Sequence, residues 1–168
     1  MSCNTLQDAL SSELILNAKD IDTVKQLLIN GADINYQSTE GWCLLFELIS
    51  LNAYEEIESL RQYRFNIDLK DAKGRSALFW AIHYKHETVI QVLLTMGINI
   101  QENVTNGLPS LHYAVYQNTA KIVQLLLDTG VDIESTDPYQ NTALDYALIY
   151  ENEEMIKLLT SRGALLQT

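Results

Sequence analysis

Cysteine is scarce: Cys3 and Cys43 are the only two in 168 residues. That excludes a disulfide framework and a cysteine-built zinc site. Proline and glycine are scarce too, at two and seven residues, so no flexible or proline-rich linker divides the chain. No apolar run approaches the ~20 residues that cross a bilayer. The first basic residue is Lys19, so the opening stretch lacks the charged region of a secretory signal. A reducing compartment such as the cytoplasm is the expectation. Positive charge is short as well: 11 basic residues stand against 22 acidic ones, a net charge of -11. Nucleic acids and anionic membranes repel such a surface, because binding to both rests on Lys/Arg contacts. A protein partner with a basic face is the better electrostatic match.

Catalytic signatures are missing in the same way. No G-x-S-x-G elbow, Walker-type loop or H-E-x-x-H pair occurs. His83 and His86 stand three apart without a third ligand nearby in sequence, so no metal is expected. Cys43 opens an apolar run and reads as a small buried residue. Neither a cofactor nor an enzymatic activity is expected.

What is present is a period. Gly97, Gly130 and Gly163 are 33 apart, and Gly31 lies two steps earlier; the skipped position is Arg64. Gly41, Gly74 and Gly107 repeat at the same interval, followed by Gln140. So do Leu45, Leu78, Leu111 and Leu144, and Leu27, Leu60, Leu93, Leu126 and Leu159. Four series in one register make the chain a repeat array.

Residues 69–101 show what one unit contains. Asp71-Ala72-Lys73-Gly74 is a turn signal. Ser76 suits a helix N-cap before Ala77-Leu78-Phe79-Trp80-Ala81-Ile82, a helix that continues to about Lys85. Glu87 opens a second helix, where its charge suits the N-terminal dipole. Val89, Ile90, Leu93 and Leu94 form the buried stripe of that helix, and Met96-Gly97 ends it. Each unit thus reads as turn, short helix, tight turn, second helix and extended connection.

This unit resembles the ankyrin repeat, whose consensus carries D-x-x-G-x-T-P-L-H-x-A-A and then I-V-x-L-L-L-x-x-G-A-x-x-N. The matching segments are DAKGRSALFWAI from Asp71, TNGLPSLHYAV from Thr105 and PYQNTALDYAL from Pro138, with TVKQLLINGADIN from Thr23 and KIVQLLLDTGVDI from Lys121. The resemblance implies an all-α solenoid over residues 1–168, in units of about 4–35, 36–68, 69–101, 102–134 and 135–168. The first unit lacks a hairpin motif and reads as a cap. Its early residues (Ser2, Asn4, Thr5, Gln7, Asp8, Ser11, Ser12 and Glu13) are expected on a solvated outer face. Leu165 and Leu166 are expected to fold back over the other end. His112 stands at the histidine of the P-L-H motif, a structural position. Unit two departs most, because Arg64 takes the helix-ending glycine position. If it adopts the left-handed conformation, the strain is about 1 kcal/mol.

Ankyrin arrays generally bind on their concave side, through hairpin tips and the open side of the first helices. The register puts Trp42, Arg75, Leu108 and Tyr139 at the tips. Three columns run along the first helices: Trp80, Tyr113 and Tyr146; Leu51, Tyr84, Gln117 and Tyr150; and His83, Tyr116 and Ile149. Residues four apart share a helix face, so stacked repeats align these aromatics into a stripe. Trp80, Tyr113 and Tyr146 either join that stripe or pack between helices; Tyr84, Tyr116 and Tyr150 are expected to be exposed. Tyrosine and tryptophan combine large contact area with a polar handle. The function implied is protein binding in the groove, by a chain that is a monomer by default and masks a basic partner as an inhibitor, antitoxin or immunity protein. The alternative is a scaffold, adaptor or host-directed effector that bridges two proteins.

Overall fold

A computed structural model describes residues 3–166, with side chains from Leu6 onward. Ser2 and the side chains of Asn4 and Thr5 lie outside the described residues, as do positions 1, 167 and 168 of the expected domain. Among the described residues the chain forms five helix pairs: α1 (Cys3–Leu16) with α2 (Ile21–Ile29), α3 (Leu44–Ser50) with α4 (Tyr54–Leu60), α5 (Ala77–His83) with α6 (Glu87–Thr95), α7 (Ser110–Tyr116) with α8 (Ala120–Asp128), and α9 (Ala143–Ile149) with α10 (Glu153–Ser161). First helices pack on first helices, while α4 packs on α6 and α8 on α10. The result is an all-α array of two layers.

The helix ends explain why the pairs repeat. Polar side chains cap several starts: Asp20 accepts from the Thr23 amide, Ser76 from Phe79 and Asn152 from Met155. Thr142 and Asp145 cap each other's backbone reciprocally. The tight turn within each of units two to five uses a left-handed residue that is not glycine: Asn52, Lys85, Asn118 and Glu151, all with φ between 51° and 60°. There the chain closes two bonds back onto the first helix. The Lys85 amide donates to the Ile82 carbonyl and the His86 amide to Ala81, each at 3.0 Å. These bonds satisfy the last helical carbonyls and so hold a conformation that disfavours a side chain. Most second helices close the same way on glycine. Unit two does not. Arg64 takes φ 60°, ψ 61°, and α4 stops at Leu60 in a 3₁₀ turn over Arg61–Tyr63. Arg64 thus adopts the left-handed conformation, and α4, at 7 residues, is two shorter than the 9-residue second helices of the other units.

The hairpins close on themselves, and that of unit three also meets the one before it, where the Ala72 amide donates to the Glu40 carbonyl. Lys70 pairs with Ser76 and Thr136 with Thr142, while β1 (Asn103–Thr105) pairs antiparallel with β2 (Leu108–Pro109). Gly41 is required at its tip, because a Cβ there would lie 2.5 Å from the Ala72 backbone nitrogen. The core runs unbroken between the layers through Leu45, Leu78, Leu111 and Leu144, and through Leu60, Leu93, Leu126 and Leu159.

The two ends correct the expectations placed on them. Gln7, Asp8 and Glu13 are exposed, but Ser11 is buried. Its hydroxyl donates to the Gln7 carbonyl and accepts from the Asp33 amide, so it ties α1 to the connection after α2. Leu165 and Leu166 are exposed rather than folded over the core, and Ala164 is buried instead. Leu166 continues the series Ile34, Ile67, Ile100 and Ile133, and Leu148 continues Ile49, Ile82 and Val115. Those earlier residues are buried or half-buried against a following unit. Leu148 and Leu166 have no such unit against them among the described residues. In α6 the buried stripe includes Val92, and Leu94 is half-buried.

Candidate functional site

The hairpin turns of units three and five are built on aspartates. The Asp71 Oδ1 accepts from the Lys73 and Arg75 amides, and its Oδ2 accepts from Arg75 Nε at 2.6 Å. Asp137, 66 positions later, accepts at Oδ1 from the Tyr139 and Asn141 amides. Its Oδ2 accepts from Asn141 Nδ2 and from the Tyr146 hydroxyl at 3.0 Å. Both carboxylates are buried. A short acidic side chain that accepts amides two and four residues on reinforces the backbone bonds of the turn. Unit four has Val104 at this position, and its hairpin is held by strand pairing instead.

These turns bring the predicted aromatics together in one band. Trp42 meets Trp80 edge to face with centroids 4.9 Å apart, and Trp80 stacks on Tyr84 at 5.8 Å. Phe79 stacks on Tyr113 at 4.4 Å. Tyr113 passes the contact to Tyr116, Tyr116 to Tyr150, and Tyr150 to Tyr146. Polar atoms hold the band in register. Trp42 Nε1 donates to Glu47, His83 Nδ1 lies 2.9 Å from the Tyr113 hydroxyl, and Gln117 Nε2 donates to the same oxygen.

Within the band the residues divide by exposure. Trp80 and Tyr113 are 8% and 6% exposed, and Tyr146 is half-buried. Arg75 and Trp42 cover Trp80, Phe79 covers Tyr113, and Tyr146 packs edge to face on His112. Tyr84, Tyr116 and Tyr150 are 37%, 55% and 54% exposed, and Ile149 and Tyr139 reach 66% and 85%. His83 is also exposed, whereas Trp42, Leu51, Arg75, Leu108 and Gln117 are half-buried. Asp137, Tyr139, Asn141, Tyr146, Ile149 and Tyr150 line a pocket of about 220 Å³.

The electrostatics follow from these surroundings. Burial, and then the bond to Asp137, push the Tyr146 phenol up to about 12. Burial alone would raise the Asp137 carboxyl, but the bonds from Asn141, Tyr146 and Tyr139 outweigh it and hold the pKa below the usual carboxylate value. His112 is fully buried, and desolvation pushes its pKa down. Its Nε2 lies 2.8 Å from the Asn141 carbonyl, an acceptor, so the neutral ring carries its proton there. Burial raises the Cys43 thiol to about 11, which leaves it an inert core residue. The acidic residues lie mainly away from the band. Helices α5 and α7 contain none, whereas α4 holds Glu55, Glu56 and Glu58, and α10 holds Glu153 and Glu154.

No three His, Cys, Asp or Glu side chains converge among the described residues. No helix among them is long and apolar enough to cross a membrane. A family model for ankyrin repeats (3 copies) matches residues 12–104 and 96–168, nearly the whole chain. The chain belongs to the ankyrin-repeat family. No curated protein matches it. Ankyrin repeats are protein–protein interaction modules and typically not enzymes, and this array offers its hairpins and first helices as one continuous face. The sequence reading placed Asp71 in a turn but missed Asp137, and it missed the shared role of the two carboxylates. Their 66-residue separation, with Asp two and four positions before the amides it accepts, was the available signal. It also missed Phe79, whose ring joins unit three to Tyr113.

Proposed function

We propose that this ankyrin array binds a protein partner along the face made by its hairpins and first helices, and that binding masks the partner. One observation carries the reading: an aromatic band crosses four units and leaves Tyr84, Tyr116, Tyr150, Ile149 and Tyr139 open to solvent. Clustered exposed tyrosines supply apolar area with a hydroxyl at the rim, the composition of binding hot spots. The buried members (Trp80, Tyr113 and Phe79) preorganise the exposed ones, so little side-chain entropy is lost on binding. The net charge of -11 favours a basic partner and speeds its approach. An inhibitor, antitoxin or immunity protein of the cytoplasm fits this combination.

The test is affinity capture with the wild-type chain and with Tyr84→Ala/Tyr116→Ala/Tyr150→Ala, followed by an assay of the captured protein. The triple variant is expected to lose the partner, and the partner's own activity to fall when the wild-type chain is added. Unchanged partner activity rejects masking; unchanged capture rejects the face. The acidic second-helix layer, with Glu55, Glu56 and Glu58 on α4, supports a scaffold as the second reading. In that case the triple variant keeps one of two partners.

A further inference from the structure

Units three and five place the same three register positions side by side, and they differ in one charge. In unit three the positions are Asp71, Arg75 and Trp80. The Arg75 Nε donates to Asp71 at 2.6 Å, and the guanidinium lies over the Trp80 ring, 4.2 Å from its centroid. A cation there bridges a buried carboxylate and an aromatic face, satisfying both. In unit five the positions are Asp137, Asn141 and Tyr146. The carboxylate is again buried and accepts the same turn amides. Asn141 and the Tyr146 hydroxyl both bond it, but neither brings a charge. Where unit three is closed by its own arginine, unit five opens the pocket of about 220 Å³ walled by Tyr139, Tyr146, Ile149 and Tyr150. None of the residues lining it is basic.

Resting on the reading of this face as the binding surface, we infer that the unit-five pocket receives an arginine side chain of the partner, seated against Tyr146 near Asp137 as Arg75 is seated against Trp80 near Asp71. Three observations converge. The chain itself demonstrates the geometry in unit three. The pocket pairs aromatic walls with a negative floor, the chemistry that recognises a planar cation. The acidic chain as a whole attracts a basic partner.

The probe is N-acetyl-arginine methylamide titrated into the full chain, with ring signals of Tyr139, Tyr146 and Tyr150 followed by NMR. The citrulline analogue has the same shape without the charge and is the control; the lysine analogue tests planarity. The expected result is saturable shifts at those rings, with arginine bound about tenfold tighter than citrulline and weakened by salt. Asn141→Arg should restore the unit-three arrangement, fold as the wild type does, and abolish probe binding. Equal binding of citrulline overturns the inference, and so does equal or tighter binding of the lysine analogue. Undiminished binding to Asn141→Arg, or no binding at all, overturns it too. Capture of the protein partner separates the two levels. If Tyr84→Ala/Tyr116→Ala loses the partner while Asn141→Arg keeps it, the arginine seat is wrong and the binding face stands.

Discussion

The two halves of the aromatic band share one period and differ in how much of their aromatic area is covered. In units two and three, Trp42, Phe79 and Trp80 pack against one another under Arg75, and the aromatic area is spent on stability. In units four and five, Tyr116, Tyr139, Ile149 and Tyr150 stand in solvent around an open pocket. The period is identical, so the fold does not decide between them. The substituents do: a tryptophan with a neighbouring arginine closes the surface, and a tyrosine with a neighbouring asparagine leaves it open. The first half is mostly covered, with Tyr84 open at its edge, and the second is mostly open around a buried Tyr113.

That comparison can be broken most directly by truncating one ring from each half. Trp80→Ala is expected to cost about 3–5 kcal/mol, because it empties a site packed on several sides. Tyr150→Ala is expected to cost less than about 1 kcal/mol, as exposed substitutions do. Urea unfolding measures both, and similar losses would erase the distinction. The turn aspartates give a smaller contrast. Asp71→Asn should lose about 2–3 kcal/mol, since it leaves the Arg75 guanidinium beside Trp80 without its counter-charge. Asp137→Asn should lose about 1–2 kcal/mol, since only neutral donors are left under-satisfied. An equal loss at the two sites would mean that Arg75 adds nothing.

Smaller still is the strain in unit two. Arg64→Gly should gain about 0.5–1 kcal/mol by relieving its left-handed backbone. The register-equivalent Gly97, at φ +88° with open space around its Cα, should lose about 1 kcal/mol as Gly97→Ala. Thermal melts of the pair test whether unit two is strained or merely different.

The smallest readout is a slope against pH. His112 joins unit four to the unit-five hairpin as a neutral ring. Burial holds its folded pKa below the 6.5 of the unfolded chain, so the unfolded state takes up the proton first as pH falls. Its contribution is complete above pH 6.5 and declines below that value, until the folded-state pKa is reached. His112→Gln should flatten this part of the stability profile. A profile that keeps its slope in the variant would assign the effect to another group.

Much of the site was legible because it obeys the repeat. Tyr84, Tyr116 and Tyr150 sit at the C-terminal end of short first helices, where the register alone directs them toward solvent. Ser76 as a cap, Gly97 as a helix end and Arg64 as an irregularity follow from local backbone chemistry, which a sequence carries openly. Ser11, Leu165 and Leu166 were misplaced for one shared reason. Their environment is set by which unit lies beside them, and polarity or position in the chain says nothing of that. The left-handed Lys85 and Glu151 were invisible as well, because the bonds that hold them are made by the preceding helix rather than by their own side chains.

By itself the sequence determined the unit, its five-fold succession, the two helices in each and the residues that face the core, because a 33-residue period and helical spacing are properties of the chain as written. The tertiary structure decided which aromatics are covered. That depends on side chains from two units meeting over one ring: Trp42 and Arg75 over Trp80, and Phe79 over Tyr113. It also decided that Asp71 is met by its own arginine and Asp137 by an asparagine and a tyrosine, with an open pocket beside the second.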